Sequence, residues 1–131
     1  MRYILDTNTC IYGLKRRGAV IEHLRQQSPA DVAVSTITVA ELWFGAVKSS
    51  APDANRRAAD AFLLPFDVLP FDREAADAYA RARFELERDG RPIGERDLLI
   101  ASIALARGLS VVTHNVSEFG RVPGLQAEDW L

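Results

Sequence analysis

The chain has 131 residues, of which 48% are hydrophobic, and this is the size and composition of one compact domain with a buried core. Its formal net charge of -2 argues against a protein that coats nucleic acid by bulk positive charge, although local basic patches can still hold phosphates. Cys10 is the only cysteine and the two histidines, His23 and His114, are far apart, which argues against a disulfide, an iron–sulfur cluster or a zinc site.

Strand-like and helix-like segments alternate along the chain. Short runs of β-branched or apolar residues predict strands, and apolar residues at every third or fourth position predict helices. Glycine or proline marks several predicted helix ends. The predicted elements are a strand at Tyr3–Leu5, helices at Cys10–Lys15 and Ala19–Gln27, a strand at Val32–Val34, helices at Thr38–Val47 and Ala54–Leu64, an edge strand at Val68–Leu69, helices at Asp72–Glu87 and Glu95–Arg107, a strand at Ser110–Thr113, a polar loop at His114–Ser117, and a last short strand within Ala127–Trp130.

This alternation predicts a single α/β domain, residues 1–131, with a parallel sheet covered by helices. No internal repeat, low-complexity tract or domain linker interrupts it. The apolar run after Arg2 is too short for a signal peptide, and no segment approaches the roughly 18 apolar residues of a membrane span. We therefore expect a cytoplasmic protein without a membrane anchor.

The first predicted strand stops at Asp6, which Thr7 and Asn8 follow. Ligands of open parallel sheets bind just beyond the carboxyl ends of the strands, so an acid at this position is well placed for chemistry. The alternative is that Asp6 only caps the next helix, as Asp, Asn and Thr often do. Thr7 and Asn8 are the better candidates for the capping role.

Two further acids lie on predicted apolar helix faces. Asp97 begins a stripe that continues through Ile100 and Ala101, which predicts that its carboxylate points inward. The alternative is a first-turn acid favoured by the helix dipole, an effect of about 0.3–1 kcal/mol. Glu41 is the only acid in a nearly all-apolar helix, and Lys48 is too far along the axis to pair with it. Either Glu41 reaches the surface at the helix edge, or one cation satisfies several such acids together.

The segment after the Ser110–Thr113 strand carries two more oxygen-bearing side chains, Asn115 and Glu118. We predict that His114 is a loop residue rather than a catalytic base, because no hydroxyl nucleophile and orienting acid accompany it. Oxygen ligands without thiols or imidazoles favour a hard cation such as Mg²⁺ or Mn²⁺. Such an ion generates hydroxide from water and stabilises charge on phosphorus, so phosphodiester hydrolysis is the predicted reaction class.

Four segments of the chain form a pattern when they are taken together. They are Leu5–Asn8 with Ile11-Tyr12, Ser35–Leu42 with Gly45, Ile93–Ala101, and Val112–Asn115 with Glu118-Phe119 and Val122–Leu125. In order and spacing these segments resemble the PIN-domain ribonucleases, specifically the VapC-type toxins of bacterial type II toxin–antitoxin pairs. Each motif is short, but together they span nearly the whole chain.

The resemblance implies that Asp6, Glu41 and Asp97 are the family's three most constant acids and hold Mg²⁺ or Mn²⁺. The family's fourth position, frequently Asp, is Asn115 here. Its amide offers a carbonyl oxygen without negative charge, so a second metal is expected to bind more weakly. Glu118 is the candidate that compensates, and Asn115 or Glu118 is expected to complete the catalytic site.

The same resemblance implies a five-stranded parallel sheet flanked by helices, endonucleolytic cutting of tRNA or another structured RNA, a homodimer, and a small VapB-like antitoxin that covers the acids and builds a higher assembly. One departure is Glu95-Arg96 where relatives often have Pro-Asn, and Glu95 is expected to add charge at the rim of the site. The candidates for antitoxin or dimer contacts, with core packing as the alternative, are Ile11, Tyr12, Leu14, Trp43 and Phe44. The candidates for RNA phosphate contacts, with a solvated charge cluster as the alternative, are Lys15, Arg16 and Arg17.

Two other functions stay open at this stage. The first is a binding module that has lost turnover and acts only through RNA or protein contact, which Asn115 in place of an acid favours. The second is a phosphoryl-receiver domain, which has a similar size and strand-end acids. The chain lacks the adjacent acid pair expected of a receiver after the first strand.

Overall fold

A computed structural model describes Met1–Leu131 and shows a five-stranded, entirely parallel sheet flanked by helices. The α/β class and the five parallel strands are confirmed. The strands are β1 (Tyr3–Leu5), β2 (Val32–Ser35), β3 (Asp67–Leu69), β4 (Ser110–Val112) and β5 (Ala127–Glu128), and their order in the sheet is β3-β2-β1-β4-β5. β3 therefore lies at an edge, as the neighbouring Pro70 predicts.

Helices cover both faces of the sheet, so the side chains of β1 and β2, which point alternately to opposite sides, are buried on either face. In the centre, Ile4 pairs with Ala33 and Val111, and all three belong to the core on one face. Their neighbours Tyr3 and Leu5 belong to the core on the other face. This explains why the strands are continuous apolar runs rather than alternating ones.

Seven helices cover the two faces. Residues of α1 to α4 contribute to the core that contains Tyr3 and Leu5, and residues of α5 to α7 contribute to the core that contains Ile4. None of these helices combines the length and apolar character needed to cross a membrane. The helices are α1 (Thr7–Leu14), α2 (Val20–Arg25), α3 (Thr36–Val47), α4 (Pro52–Leu63), α5 (Arg73–Arg88), α6 (Glu95–Arg107) and α7 (Val116–Phe119), with a short 3₁₀ helix at Pro29–Asp31.

The helix starts depend on capping side chains. α1 begins at Thr7 rather than Cys10 because Asp6 accepts a hydrogen bond from a backbone N–H of its first turn. α3 begins at Thr36 rather than Thr38 because Ser35 does the same. α6 has the predicted bounds and ends at Gly108, whose φ of 67° is the left-handed conformation that glycine adopts most easily.

The prediction of a polar loop at His114–Ser117 was wrong in part, because α7 begins at Val116. Phe119 at the end of α7 is completely buried and belongs to the core beneath α5 and α6. This anchor orders a helix that is too short for its periodicity to be visible in the sequence.

The order of strands places a topological switch beside β1. The chain passes from β1 to β2 and β3 on one side of the sheet, and β4 and β5 lie on the other side. Ligands of open parallel sheets bind beyond the strand ends at such a switch. The residues that follow β1 and β4 are Asp6 and Thr113, and both are buried.

Candidate active site

Asp6 performs two roles at the end of β1. The Thr9 N–H donates to Asp6 Oδ1 at 2.8 Å, so Asp6 caps α1, and the assignment of that cap to Thr7 or Asn8 was wrong. Asp6 is only 4% exposed, and this burial raises its pKa. Hydrogen bonding to Thr113 and Thr9 lowers the pKa of Asp6, and the charge of Glu41 raises it. The net pKa is raised. A cap and an acid at the strand ends are therefore compatible roles for one residue.

Glu41 on α3 has two partners from distant parts of the chain. Thr7 Oγ1 donates to Glu41 Oε1 at 2.8 Å, and Arg96 Nη1 lies 3.6 Å from Oε2. The same Thr7 hydroxyl lies 3.1 Å from that of Thr38. The Glu41 side chain is 28% exposed, so it does not extend freely into solvent.

Asp97 lies in the first turn of α6, and Ile100 and Ala101 behind it are buried as the predicted stripe requires. Burial and, after it, the negative charges of Glu118, Asp6 and Glu41 together raise the pKa of Asp97 to about 6. These influences show that the acids are close enough to repel one another. A group of acids with this repulsion is typical of a functional site.

The three acids line one cavity of about 390 Å³, which we call the acidic cavity. None of its lining residues is hydrophobic. Glu95 lies in this lining and is exposed, which agrees with the predicted charge at the rim. The lining residues are Asp6, Thr7, Asn8, Glu41, Gly94, Glu95, Arg96 and Asp97.

Asn115 and Glu118 lie beside the acidic cavity rather than in its lining. The Gly94 N–H donates to Glu118 Oε1 at 2.7 Å, and the Asn115 amide donates to Oε2 of the same carboxylate. Glu118 thus links α7 to Gly94, the residue that precedes α6, and Asp97 lies in the first turn of α6. The hypothesis that Asn115 or Glu118 completes the catalytic site stays a prediction.

His114 lies outside the acidic cavity, in agreement with its prediction as a loop residue. Its Nδ1 is 2.9 Å from Asp129 Oδ2, and its ring makes an edge-to-face contact with Tyr12. Both contacts tie the C-terminal residues to the first helix.

The acidic cavity fits a hard divalent cation by its chemistry. Its acidic donors are all oxygens, and a positive ion would relieve the repulsion that raises the pKa of Asp97. The side chains do not form a closed ligand set, because no group of three His, Cys, Asp or Glu residues is arranged to hold an ion. One reason is that the carboxylate of Glu41 points toward Thr7 and Arg96 rather than toward the other acids.

The apolar residues predicted to make protein contacts fall on two surfaces. Ile11 and Leu14 are half-buried and line an apolar groove of about 400 Å³ between α1, α3 and α4, which also reaches Glu41. Trp43 lines a separate depression next to β3, and its indole N–H donates to Asp60 at 2.8 Å. Phe44 is 63% exposed and Tyr12 packs against the core.

The basic segment predicted to contact phosphates forms an exposed turn after α1. Lys15, Arg16 and Arg17 are all exposed and none of them forms a salt bridge. Lys15 also lines the apolar groove, in which Glu41 takes part. Lys15 thus shares a groove with one acid of the acidic cavity, and the charges of the whole turn are available to a ligand.

Sequence reasoning missed the residues that hold the acids in place. Thr7 and Arg96 contact Glu41, and the backbone N–H of Thr9 donates to Asp6. The position of Thr7 directly after the strand-end acid Asp6 could have indicated its role. The departure of Arg96 from the family pattern, next to Asp97, could have indicated its role as well.

Comparison with known proteins gives a consistent result. The family model of the PIN domain matches residues 3–125. The chain is 41% identical to the tRNA(fMet)-specific endonuclease VapC of Salmonella typhimurium, over 99% of this chain and 98% of that protein. The crystal structure of DNA-bound VapBC from Salmonella typhimurium superimposes with a TM-score of 0.95 at 40% identity, covering 100% of this chain and 99% of the other. A member of the VapBC family of toxin–antitoxin systems, VapBC-5 from Mycobacterium tuberculosis, superimposes with a TM-score of 0.69 at 29% identity, covering 98% and 96%.

Proposed function

We propose a function from the premise that this chain belongs to the PIN-domain family and, within it, to the VapC ribonucleases. The chain is a metal-dependent endoribonuclease toxin that cuts cellular RNA in the cytoplasm. The observation that carries this proposal is the acidic cavity, where Asp6, Glu41 and Asp97 from three different elements meet beyond the strand ends. Mg²⁺ or Mn²⁺ is the proposed cofactor.

In this proposal Asp6, Glu41 and Asp97 hold the cation. When bound, the cation supplies a water of lowered pKa and stabilises the charge that develops on the phosphate. Asp6 is fixed by Thr9, and Glu41 is fixed by Thr7, so both carboxylates are positioned before the ligand arrives. Glu118 holds the start of α6 and thereby the position of Asp97, and Asn115 supports Glu118.

The substrate that the comparison favours is tRNA, because the Salmonella relative is a tRNA(fMet)-specific endonuclease. The exposed turn of Lys15, Arg16 and Arg17 supplies positive charge for its phosphates. Initiator tRNA is therefore the first RNA to test, against an elongator tRNA of similar length. We expect one discrete cut in the initiator and none in the elongator.

The metal site is tested by cutting assays with Mg²⁺ or Mn²⁺. Asp6→Asn and Asp97→Asn are expected to reduce cutting at least a hundredfold, because each removes a charge from the cation site. Asp67→Asn is the matched control, since Asp67 is exposed on the edge strand and far from the acidic cavity. Undiminished cutting by both site variants would contradict the proposal. RNA binding by the wild type without cutting at any metal concentration would favour a binding module instead.

The proposed partner is a VapB-like antitoxin that occupies the apolar groove. The groove reaches Glu41, so a segment that lies in it ends at the acidic cavity and blocks access of RNA. A Cβ added at Gly45 would meet no atom within 4 Å, which leaves room there for a partner side chain. A homodimer is a further expectation for the exposed apolar residues of α3.

The groove assignment is tested by filling it. Gly45→Gln is expected to weaken antitoxin binding at least tenfold while RNA cutting persists, because the new side chain occupies the groove without a clash inside the chain. Ala80→Gln on α5, which covers the other face of the sheet, is the control. Equal antitoxin affinity of the two variants and the wild type, measured by titration calorimetry, would place the antitoxin elsewhere.

A further inference from the structure

Arg96 is the only basic residue in the lining of the acidic cavity. Its Nη1 lies 3.6 Å from Glu41 Oε2 without forming a hydrogen bond, and its side chain is 73% exposed. By contrast, Arg56 and Arg83 donate hydrogen bonds to acids one helical turn away at 3.1 and 2.9 Å. Arg96 is therefore held more loosely than these exposed arginines and is free to change partner.

We propose that Arg96 binds a phosphate of the RNA substrate, and that in the RNA-free chain it competes with the divalent cation for Glu41. The proposal rests on the proposed ribonuclease function and adds a residue to it. One side chain thus has two alternative partners, an acid of the site and a phosphate of the substrate.

The charge around the acidic cavity favours a basic residue that can hold a phosphate. A phosphate that approaches the cavity meets Asp6, Glu41, Glu95 and Asp97, and each of them repels it. A guanidinium matches phosphate geometry with two parallel N–H donors and is never neutral at physiological pH. Arg96 is the group in this lining that can attract the backbone of RNA.

The contacts of Glu41 allow the exchange. Its Oε1 accepts from Thr7, so Glu41 stays in the site when Arg96 leaves Oε2. Arg96 directly precedes Asp97 in the first turn of α6, a rigid element, so a phosphate held by Arg96 lies next to the acids.

The competition is tested without RNA, by titrating Mn²⁺ into the intact protein and measuring free Mn²⁺ by electron paramagnetic resonance. Arg96→Gln is expected to bind Mn²⁺ about two- to fivefold more tightly than the wild type, as expected for loss of a partly exposed ion pair. Arg91→Gln is the matched control. It removes the same charge from an exposed arginine that does not line the cavity, and its affinity should equal that of the wild type.

The phosphate contact is tested by tRNA binding in Ca²⁺, with intact RNA verified on a gel. Arg96→Gln is expected to weaken binding about three- to tenfold and to reduce the slope of log affinity against log salt by about 0.7–0.9, the value for one phosphate contact. Arg96→Lys keeps the charge and should keep the slope. Arg91→Gln should change neither quantity.

The outcomes separate this proposal from the proposed function. If Arg96→Gln binds Mn²⁺ and tRNA like the wild type, or binds Mn²⁺ more weakly, then the role of Arg96 is wrong and the ribonuclease function stands. If the wild type binds no Mn²⁺ and cuts no tRNA, both proposals are wrong. Arg96 is exposed, so its variants are expected to fold, and thermal unfolding verifies this.

Discussion

Replacing Asp97 by Asn should stabilise the folded chain while it abolishes RNA cutting. Burial, together with the charges of Glu118, Asp6 and Glu41, raises the pKa of Asp97 from its usual value of 3.8 to about 6. A carboxyl group with this change carries a cost of about 3 kcal/mol at most when it ionises in the folded state. Solvent screening of a half-buried group reduces the expected cost to about 1–2 kcal/mol.

The pH dependence of stability follows from the difference in the pKa of Asp97 between the folded and the unfolded chain. Between about pH 4 and pH 6 the folded chain retains the Asp97 proton and the unfolded chain has released it. Stability therefore falls as pH rises through this range, and the full cost is present above about pH 7. Asp97→Asn removes the cost, so its advantage over the wild type should be about 1–2 kcal/mol at pH 7.5 and about half of that at pH 4.5.

The assay is urea unfolding in EDTA at both pH values, with Asp67→Asn as the control for loss of an exposed carboxylate. The reasoning is refuted if Asp97→Asn is no more stable than the wild type at pH 7.5, or if its advantage is equally large at pH 4.5. Added Mn²⁺ should narrow or reverse the difference at pH 7.5, because a cation that binds only the folded wild type stabilises it by mass action.

Three other changes test separate parts of the structure. Gly18→Ala should destabilise the chain by about 1–3 kcal/mol in urea unfolding, because Gly18 has φ of 62° and an added Cβ would lie 2.6 Å from Leu131 Cδ1. Glu118→Ala should lower kcat for RNA more than it raises KM, since it frees the start of α6 without removing a proposed cation ligand. Asn115→Asp should tighten Mn²⁺ binding about tenfold if residue 115 faces the cation, and unchanged affinity would exclude that role.

The elements could be predicted from the sequence because their signals are local. Strand runs such as Val32–Val34 and the glycine that ends α6 depend only on neighbouring residues. The prediction that Asp6, Glu41 and Asp97 lie together in the fold was less direct. It required the rule that ligands bind at strand ends, and the family resemblance supplied the rest.

The hydrogen-bond partners of the acids could not be predicted in this way. Thr7 and Glu41 are 34 residues apart, and Gly94 and Glu118 are 24 residues apart. Such contacts depend on rotamers and on the packing of α3, α6 and α7 against the sheet, which no local pattern encodes. For the same reason the sequence did not predict the hydrogen bonds from Gly94 and Asn115 to the two Glu118 oxygens, and the role of Glu118 in completing the site stays a prediction.

Repulsion among the acids of the acidic cavity lowers the stability of the folded chain. Burial of apolar side chains close to these acids offsets this cost. Next to the site residues in the chain are Leu5, which precedes Asp6, and Phe119, which follows Glu118, and both are completely buried, as is Val112 at the end of β4. Burial of each such side chain contributes about 1.5–3 kcal/mol, which is comparable to the cost estimated for ionising Asp97. It follows that a ligand that brings positive charge to the cavity relieves the repulsion among the acids in addition to stabilising the fold by mass action. Arg96 is the one group of this kind that the chain itself supplies there, and it is held loosely enough to yield to a stronger cation.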